Sequence, residues 1–253
     1  MKLLATNAKL EKATEQTQQY MVTGLTLAPH GLSGHQVCDE HSPGCAGGCN
    51  MWWSGRKVTQ PARDAALRRT KWLFEDPKGF RKQLHKDLCL HCRRCDKLDL
   101  LPAARLNMAS DLEWFDVIEQ WPIIHFYDYT KIRSRFRDYL DGKLPSNYHL
   151  TFSRHERHKP TTIASYLSKG GNVSVVFDID YFPSVGRVAP MPARHMIGSQ
   201  SFPVINGDSH DIRLPWIDGK GVVVGLALKG TRDSKARAVK KGFAVEADYG
   251  ITT

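Results

Sequence analysis

At 253 residues and 28.6 kDa the chain is long enough to bury a sizeable core, and its 41% apolar and 25% charged residues are those of a globular protein. No apolar run approaches the roughly 18 residues that cross a bilayer, which excludes an integral helical membrane protein. The formal net charge of +10 and pI near 9.4 point to an anionic partner, nucleic acid or another polyanion, unless the basic residues serve solubility alone.

The opening residues, MKLLATNAKLEKATEQTQQ, form a polar arm with a weak helical pattern and lack both an h-region and a small-residue cleavage site. A cytoplasmic location is therefore expected. There, six cysteines suit metal, cluster or core roles better than disulfides. Residues 20–27 (YMVTGLTL) predict a strand, and the glycine-rich loop VCDEHSPGCAGGCNMWWSGR follows at 37–56. Apolar residues at helical spacing from Gln60 to about Leu98 predict two helices divided by EDPKG at 75–79.

Short apolar segments then recur, each ending in polar residues: 103–107, 123–129, 149–152, 172–177 and 221–228. Helix-like pieces at 114–120, 132–139 and 161–169 lie between them. Strands alternating with helices predict an α/β fold with a parallel sheet and outer helices, a partial or full TIM-barrel-like arrangement in one domain over 1–253. In such a fold the residues after each strand face the ligand-binding end. Five prolines and the cluster NGDSHD make 179–219 a long irregular loop over that end. The segment 229–241 (KGTRDSKARAVKK) carries six basic residues against one acidic residue and is the candidate phosphate-contacting patch.

Two cysteine sets stand out. Cys38-x6-Cys45-x3-Cys49 supplies three thiolates, one fewer than a closed site needs. A [4Fe–4S] cluster so held leaves one iron open, whereas a structural zinc would recruit a fourth ligand such as His35 or His41. Gly44, Gly47 and Gly48 would let backbone pass close to the cofactor. Cys89, Cys92 and Cys95 fall in a helical pattern, about 9 Å apart end to end and rotated by roughly 120°, so their sulfurs do not converge. They are expected to be core or half-buried thiols, with a metal shared with the first cysteine loop as the alternative. Around the strand ends, Arg105, Asn107, Ser110 and Asp111, then Asp128 and Lys131, Arg154, His155 and Glu156, and Asp178 and Asp180 form a candidate ring for a charged small molecule, with helix capping as the bland alternative. The named catalytic candidates are Arg105, Asn107, Asp111, Asp128, Lys131, Arg154 and Glu156.

The series VCDEHSPGCAGGC, PAARLNMASDLEW, HFYDYTK, HLTFSRHE, VVFD and INGDSHDIRLPWIDGKGVVVGLALKG resembles the gene product 88 domain family of bacteriophages, in order from about Leu4 to Gly230. That resemblance implies a phage protein in the host cytoplasm, a TIM-barrel-like fold and loop cysteines at Cys38, Cys45 and Cys49. The layout is also similar to radical S-adenosylmethionine enzymes, whose three cysteines follow the first strand, although the x6 and x3 spacing here departs from their x3 and x2. It implies a [4Fe–4S] cluster binding S-adenosylmethionine. The rival expectation is a nucleic-acid-binding protein with structural zinc or a structural cluster, and a host protein is a further candidate partner.

Overall fold

The computed structural model describes residues 1–6, 8–49, 52, 59–179, 181–182, 187–188 and 190–249. In chain order its first half comprises β1 (Leu4–Ala5), α1 (Ala8–Thr17), β2 (Tyr20–Leu25), α2 (Pro43–Gly47), α3 (Gln60–Glu75), α4 (Pro77–Lys97), β3 (Leu101–Arg105), α5 (Phe115–Ile118) and β4 (His125–Thr130). There follow α6 (Arg133–Leu140), β5 (Tyr148–Ser153), α7 (Pro160–Ser168), β6 (Asn172–Phe177), β7 (Tyr181–Phe182), β8 (Arg187–Val188), β9 (Arg194–Ile197) and β10 (Gln200–Asn206). The chain ends with α8 (Pro215–Asp218), β11 (Val223–Ala227), α9 (Arg232–Lys240) and β12 (Ala244–Val245).

The expected α/β alternation is present, and β2 to β6 lie side by side, all parallel, in chain order. Closure into a full TIM barrel is not. Strand order continues from β6 to β11, then β10, then antiparallel β9, while β1 pairs antiparallel at the other end. Because β10 precedes β11 in the chain yet lies outside it, the winding reverses there and the two ends do not meet in a ladder. The result is an open, mostly parallel sheet of ten strands.

The region 179–219, expected to be irregular, also contains β7 to β10 and α8. Proline concealed β10. Pro203 sits where the strand changes partner: residues 200–203 pair with β9, and 204–206 pair with β11. A residue without an N–H is tolerated at that switch.

Period-two alternation gives the sheet two buried faces. Ala104, Phe126, Leu150, Phe152, Val173 and Val175 belong to the larger core, which also contains Phe80, Leu84 and Leu88 of α4, Phe136 of α6 and Ile163 and Leu167 of α7. On the other face Tyr20, Val22, Ala103 and Tyr127 meet Leu10 and Ala13 of α1 together with Ile212 and Leu214 from the segment before α8. That segment covers this face of the sheet. At apolar burial worth roughly 25 cal/mol per Å², these two layers are the main source of stability. Asp87 of α4 ties the first strand in place by accepting the N–H groups of Leu3 and Leu4 at 2.6 and 3.0 Å.

Cys89, Cys92 and Cys95 lie on the unbroken helix α4, with Cys92 and Cys95 buried. Burial pushes these two thiols up to about 11 and 12 respectively. They behave as small core side chains. No helix among the described residues is long and apolar enough to cross a membrane.

Candidate functional site: a thiol-lined cavity at the strand ends

A cavity of about 270 Å³ opens on this second face of the sheet at the carboxyl ends of the parallel strands. Cys38, Cys45 and Cys49 line one side. Facing residues come from strand positions of one parity: Arg105 of β3, Tyr129 of β4, Ser153 of β5, Ser174 of β6 and Leu226 of β11.

The cysteine loop reaches this place through a few long-range bonds. Val37 is buried, and its carbonyl accepts the Asp111 N–H at 2.7 Å. The Cys38 thiol donates to the Ala109 carbonyl at 3.4 Å. Further on, Ser42 caps α2 by accepting the Cys45 N–H at 3.1 Å, and Glu156 completes the cap, accepting from Ser42 Oγ at 2.6 Å and from the Gly44 N–H at 2.8 Å. Burial works to raise the Glu156 pKa, but these hydrogen bonds outweigh it and the net direction is downward. Two glycines let α2 approach its neighbours. A side chain at Gly48 would put Cβ 2.6 Å from Ala238 Cβ of α9, and one at Gly44 would stand 2.8 Å from Phe243 Cβ and from Glu156 Oε1. Gly47 is roomier, its nearest neighbour being Arg237 at 3.5 Å.

Electrostatically the cavity centres on Lys131. Burial works to lower its pKa, but the thiols of Cys45, Cys38 and Cys49 and the carboxylate of Asp111 outweigh it, and the net direction is upward. The ammonium donates to Ser153 Oγ at 2.7 Å. Asp111 is engaged elsewhere: Arg135 Nη1 holds it at 2.7 Å, and the Lys131 N–H and the Thr130 hydroxyl donate to it at 2.7 and 3.2 Å. Cys38 is pushed up to about 11, chiefly by burial, against the opposing effects of the His30 N–H and Lys131. Such a thiol is protonated at neutral pH unless a metal replaces the proton.

A family model described as gene product 88 matches residues 1–245. The chain belongs to the gene product 88 family of bacteriophages. Comparison with curated proteins and with solved structures finds no match. The residues matched to gene product 88 span the whole described cavity and end at Val245, the last residue of β12.

Of the polar residues singled out in this gene product 88 chain, Arg105, Asn107, Ser110, Asp111 and Lys131 line the cavity. Asn107 is committed to its own turn, its Oδ1 accepting from Ser110 Oγ, the Leu112 N–H and Trp114 Nε1. Asp128 lies on the opposite face of β4, buried, accepting from the Asn107 N–H at 2.7 Å and from Tyr148 at 3.2 Å. Burial pushes it up to about 7. Arg154 donates to the carbonyls of Gly242 and Phe243, both at 2.9 Å, and thereby holds the turn after α9. His155 stacks on His158 with centroids 3.6 Å apart, and Asp178 is exposed with its N–H on the Val245 carbonyl. Asp180, Met51 and Arg56 fall outside the described residues.

His41 lines the cavity, with Nδ1 2.6 Å from the Cys38 carbonyl, whereas His35 lies flat on Phe74 at 4.2 Å. Among the described residues no group of three or more His, Cys, Asp or Glu side chains forms a ready metal-ion site. Sequence reasoning overlooked Tyr129, Ser153 and Ser174 as lining residues. The signal was available in strand parity: once Arg105 faces the cavity, Tyr129 does so and Asp128 cannot. Asp208 and Lys229 also line it, joined in an ion pair, so the basic segment contributes one cation here while Arg237 of α9 donates to the Gly47 carbonyl.

Proposed function

We propose that this protein holds an iron–sulfur cluster through Cys38, Cys45 and Cys49 on a partial-barrel scaffold and acts as a cluster-dependent enzyme on a small molecule bound in the same cavity. The observation that carries this reading is the convergence of three thiols on one cavity around Lys131, whose ammonium bonds Ser153 Oγ while Asp111, the carboxylate that acts on it, is held by Arg135. A cation drawn partly out of water is favoured by negative charge placed beside it. Thiolates bound to a cluster supply that charge, because such a cluster with its ligands carries net negative charge.

A lone zinc ion is the alternative occupant. With zinc–sulfur bonds of ~2.3 Å, tetrahedral ligands stand only about 4 Å apart, and the described residues contain no such group. When bound, a cluster with one open iron supplies one-electron transfer and a coordination position, for a substrate or for S-adenosylmethionine. The chain's own residues do the rest. Glu156 and Ser42 fix the helix bearing Cys45, Asp111 fixes the loop bearing Cys38, and Lys131 balances charge. Purification under strict anaerobiosis, followed by iron and acid-labile sulfide assay, tests the proposal: about four of each per chain are expected for one [4Fe–4S] cluster. A colourless, iron-free protein from anaerobic and aerobic preparations alike removes it.

A further inference from the structure

The same cavity lining has hydrogen-bonding capacity that the fold does not use. Arg105 is only 7% exposed, yet its guanidinium spends a single nitrogen on protein, Nη1, which bonds both oxygens of Asp211 at 3.1 and 3.2 Å. Its Nε is enclosed and has no hydrogen-bond partner, with the nearest carboxylate oxygen, Asp128 Oδ1, at 4.0 Å. The Tyr129 hydroxyl, on the next strand, is likewise enclosed and unpartnered. Arg105 lies over the Tyr129 ring, 4.7 Å from its centroid, so the two free donors belong to one cluster. A buried donor left unsatisfied is unfavourable, and natural proteins keep few of them unless a ligand or water completes the site.

We propose that Arg105 and Tyr129 bind the carboxylate or phosphate group of a small organic anion in this cavity. A planar guanidinium presents paired donors that match either group, and the phenol adds one neutral donor beside it. Lys229 is paired with Asp208 as Arg105 is with Asp211, so unused donors on Arg105 and Tyr129, not net charge, distinguish this part of the lining. Volume sets the class of ligand. At about 270 Å³ the cavity is at the small end of ligand pockets. That size suits a compact metabolite rather than a nucleic-acid strand.

The inference concerns the metal-free cavity and does not depend on what the thiols hold. It is tested by titrating the full-length apo protein, prepared with chelator and reductant, with inorganic phosphate and with succinate, observed by ligand NMR. One or both probes are expected to bind in the millimolar range. A preference for phosphate assigns a phosphate ester and a preference for succinate assigns a carboxylate, either of which supports the site. Tyr129→Phe should weaken binding roughly three- to tenfold, the worth of one hydrogen bond, without changing the thermal midpoint by more than a few degrees. Arg105→Lys, which keeps a charge beside Asp211, should weaken it further. No binding of either probe, or binding that is unchanged in both variants, overturns the proposal. The second of these outcomes would move the anion to the basic outer surface.

Discussion

Cys38 and Lys131 have opposite requirements, and that opposition defines the site at the scale of single residues. The thiol, pushed up to about 11, is about one part in a thousand ionised at pH 8, so iodoacetamide should label it slowly in the apo protein and faster as pH rises toward 11. Mass spectrometry of the peptide carrying Cys38 measures this; rapid labelling at neutral pH contradicts the burial assigned to it. Lys131, drawn upward by the thiols, should set the electron affinity of whatever they bind. Replacing it by methionine removes a positive charge and should lower the midpoint potential of the bound cluster by tens of millivolts, on the scale of ~59 mV for a tenfold shift in a one-electron equilibrium. An unchanged potential would mean that the ammonium does not face the cluster. Asp128 has a different, structural pH dependence. Its carboxyl is raised from 3.8 to about 7 by burial, so the folded state retains a proton that the unfolded chain releases. Stability from this group is fully present below pH 3.8 and is lost as pH rises through 7. The difference in unfolding free energy between the wild type and Asp128→Asn should therefore fall between these limits, and a flat difference in denaturant titrations at several pH values refutes the assignment.

Among the elements, α2 is the most exacting, because a helix of five residues has little stability of its own and depends on its neighbours. Gly48→Ala brings a methyl 2.6 Å from Ala238 Cβ and should destabilise by about 1–3 kcal/mol, the usual range for overpacking, while moving Cys45 and Cys49 away from α9. Thermal melts check the first effect and iron content the second; a variant as stable and as metal-rich as the wild type would show that α2 and α9 are not in contact. The same element marks where the sequence became hard to read. β2 to β6 and the helices around them were legible because each has a strong apolar period that its packing obeys, and 172–177 matches β6 at both ends. β10 was hidden by Pro203, whose place at a change of pairing partner depends on two other strands. The short α2 was hidden because its five residues carry no apolar period and, beyond its local cap Ser42, it depends on Glu156, 112 positions from the Gly44 N–H it accepts. Of the candidate site, the cysteines and Arg105 were visible as chemistry. Which neighbours share their face was not, since it depends on strand parity and on the long-range Arg105–Asp211 pair.

At the scale of the whole molecule, an open parallel sheet gathers at one end a loop with three thiols, a cation that answers them and a wall of free donors. With the winding reversed between β11 and β10 the sheet stays open, and the segment through Asp211, Ile212 and Leu214 packs on the face that carries Arg105 and pairs with it through Asp211. The two cysteine sets then have separate fates: one lines the cavity, the other packs along α4. The most direct measurement is the iron content and reduced-state electron paramagnetic resonance spectrum of the anaerobic protein beside two triple variants, Cys38/Cys45/Cys49→Ala and Cys89/Cys92/Cys95→Ala. Loss of iron and of the cluster signal in the first variant alone is the predicted result. Iron retained in the first variant and lost in the second, or absent from the wild type, would contradict the account.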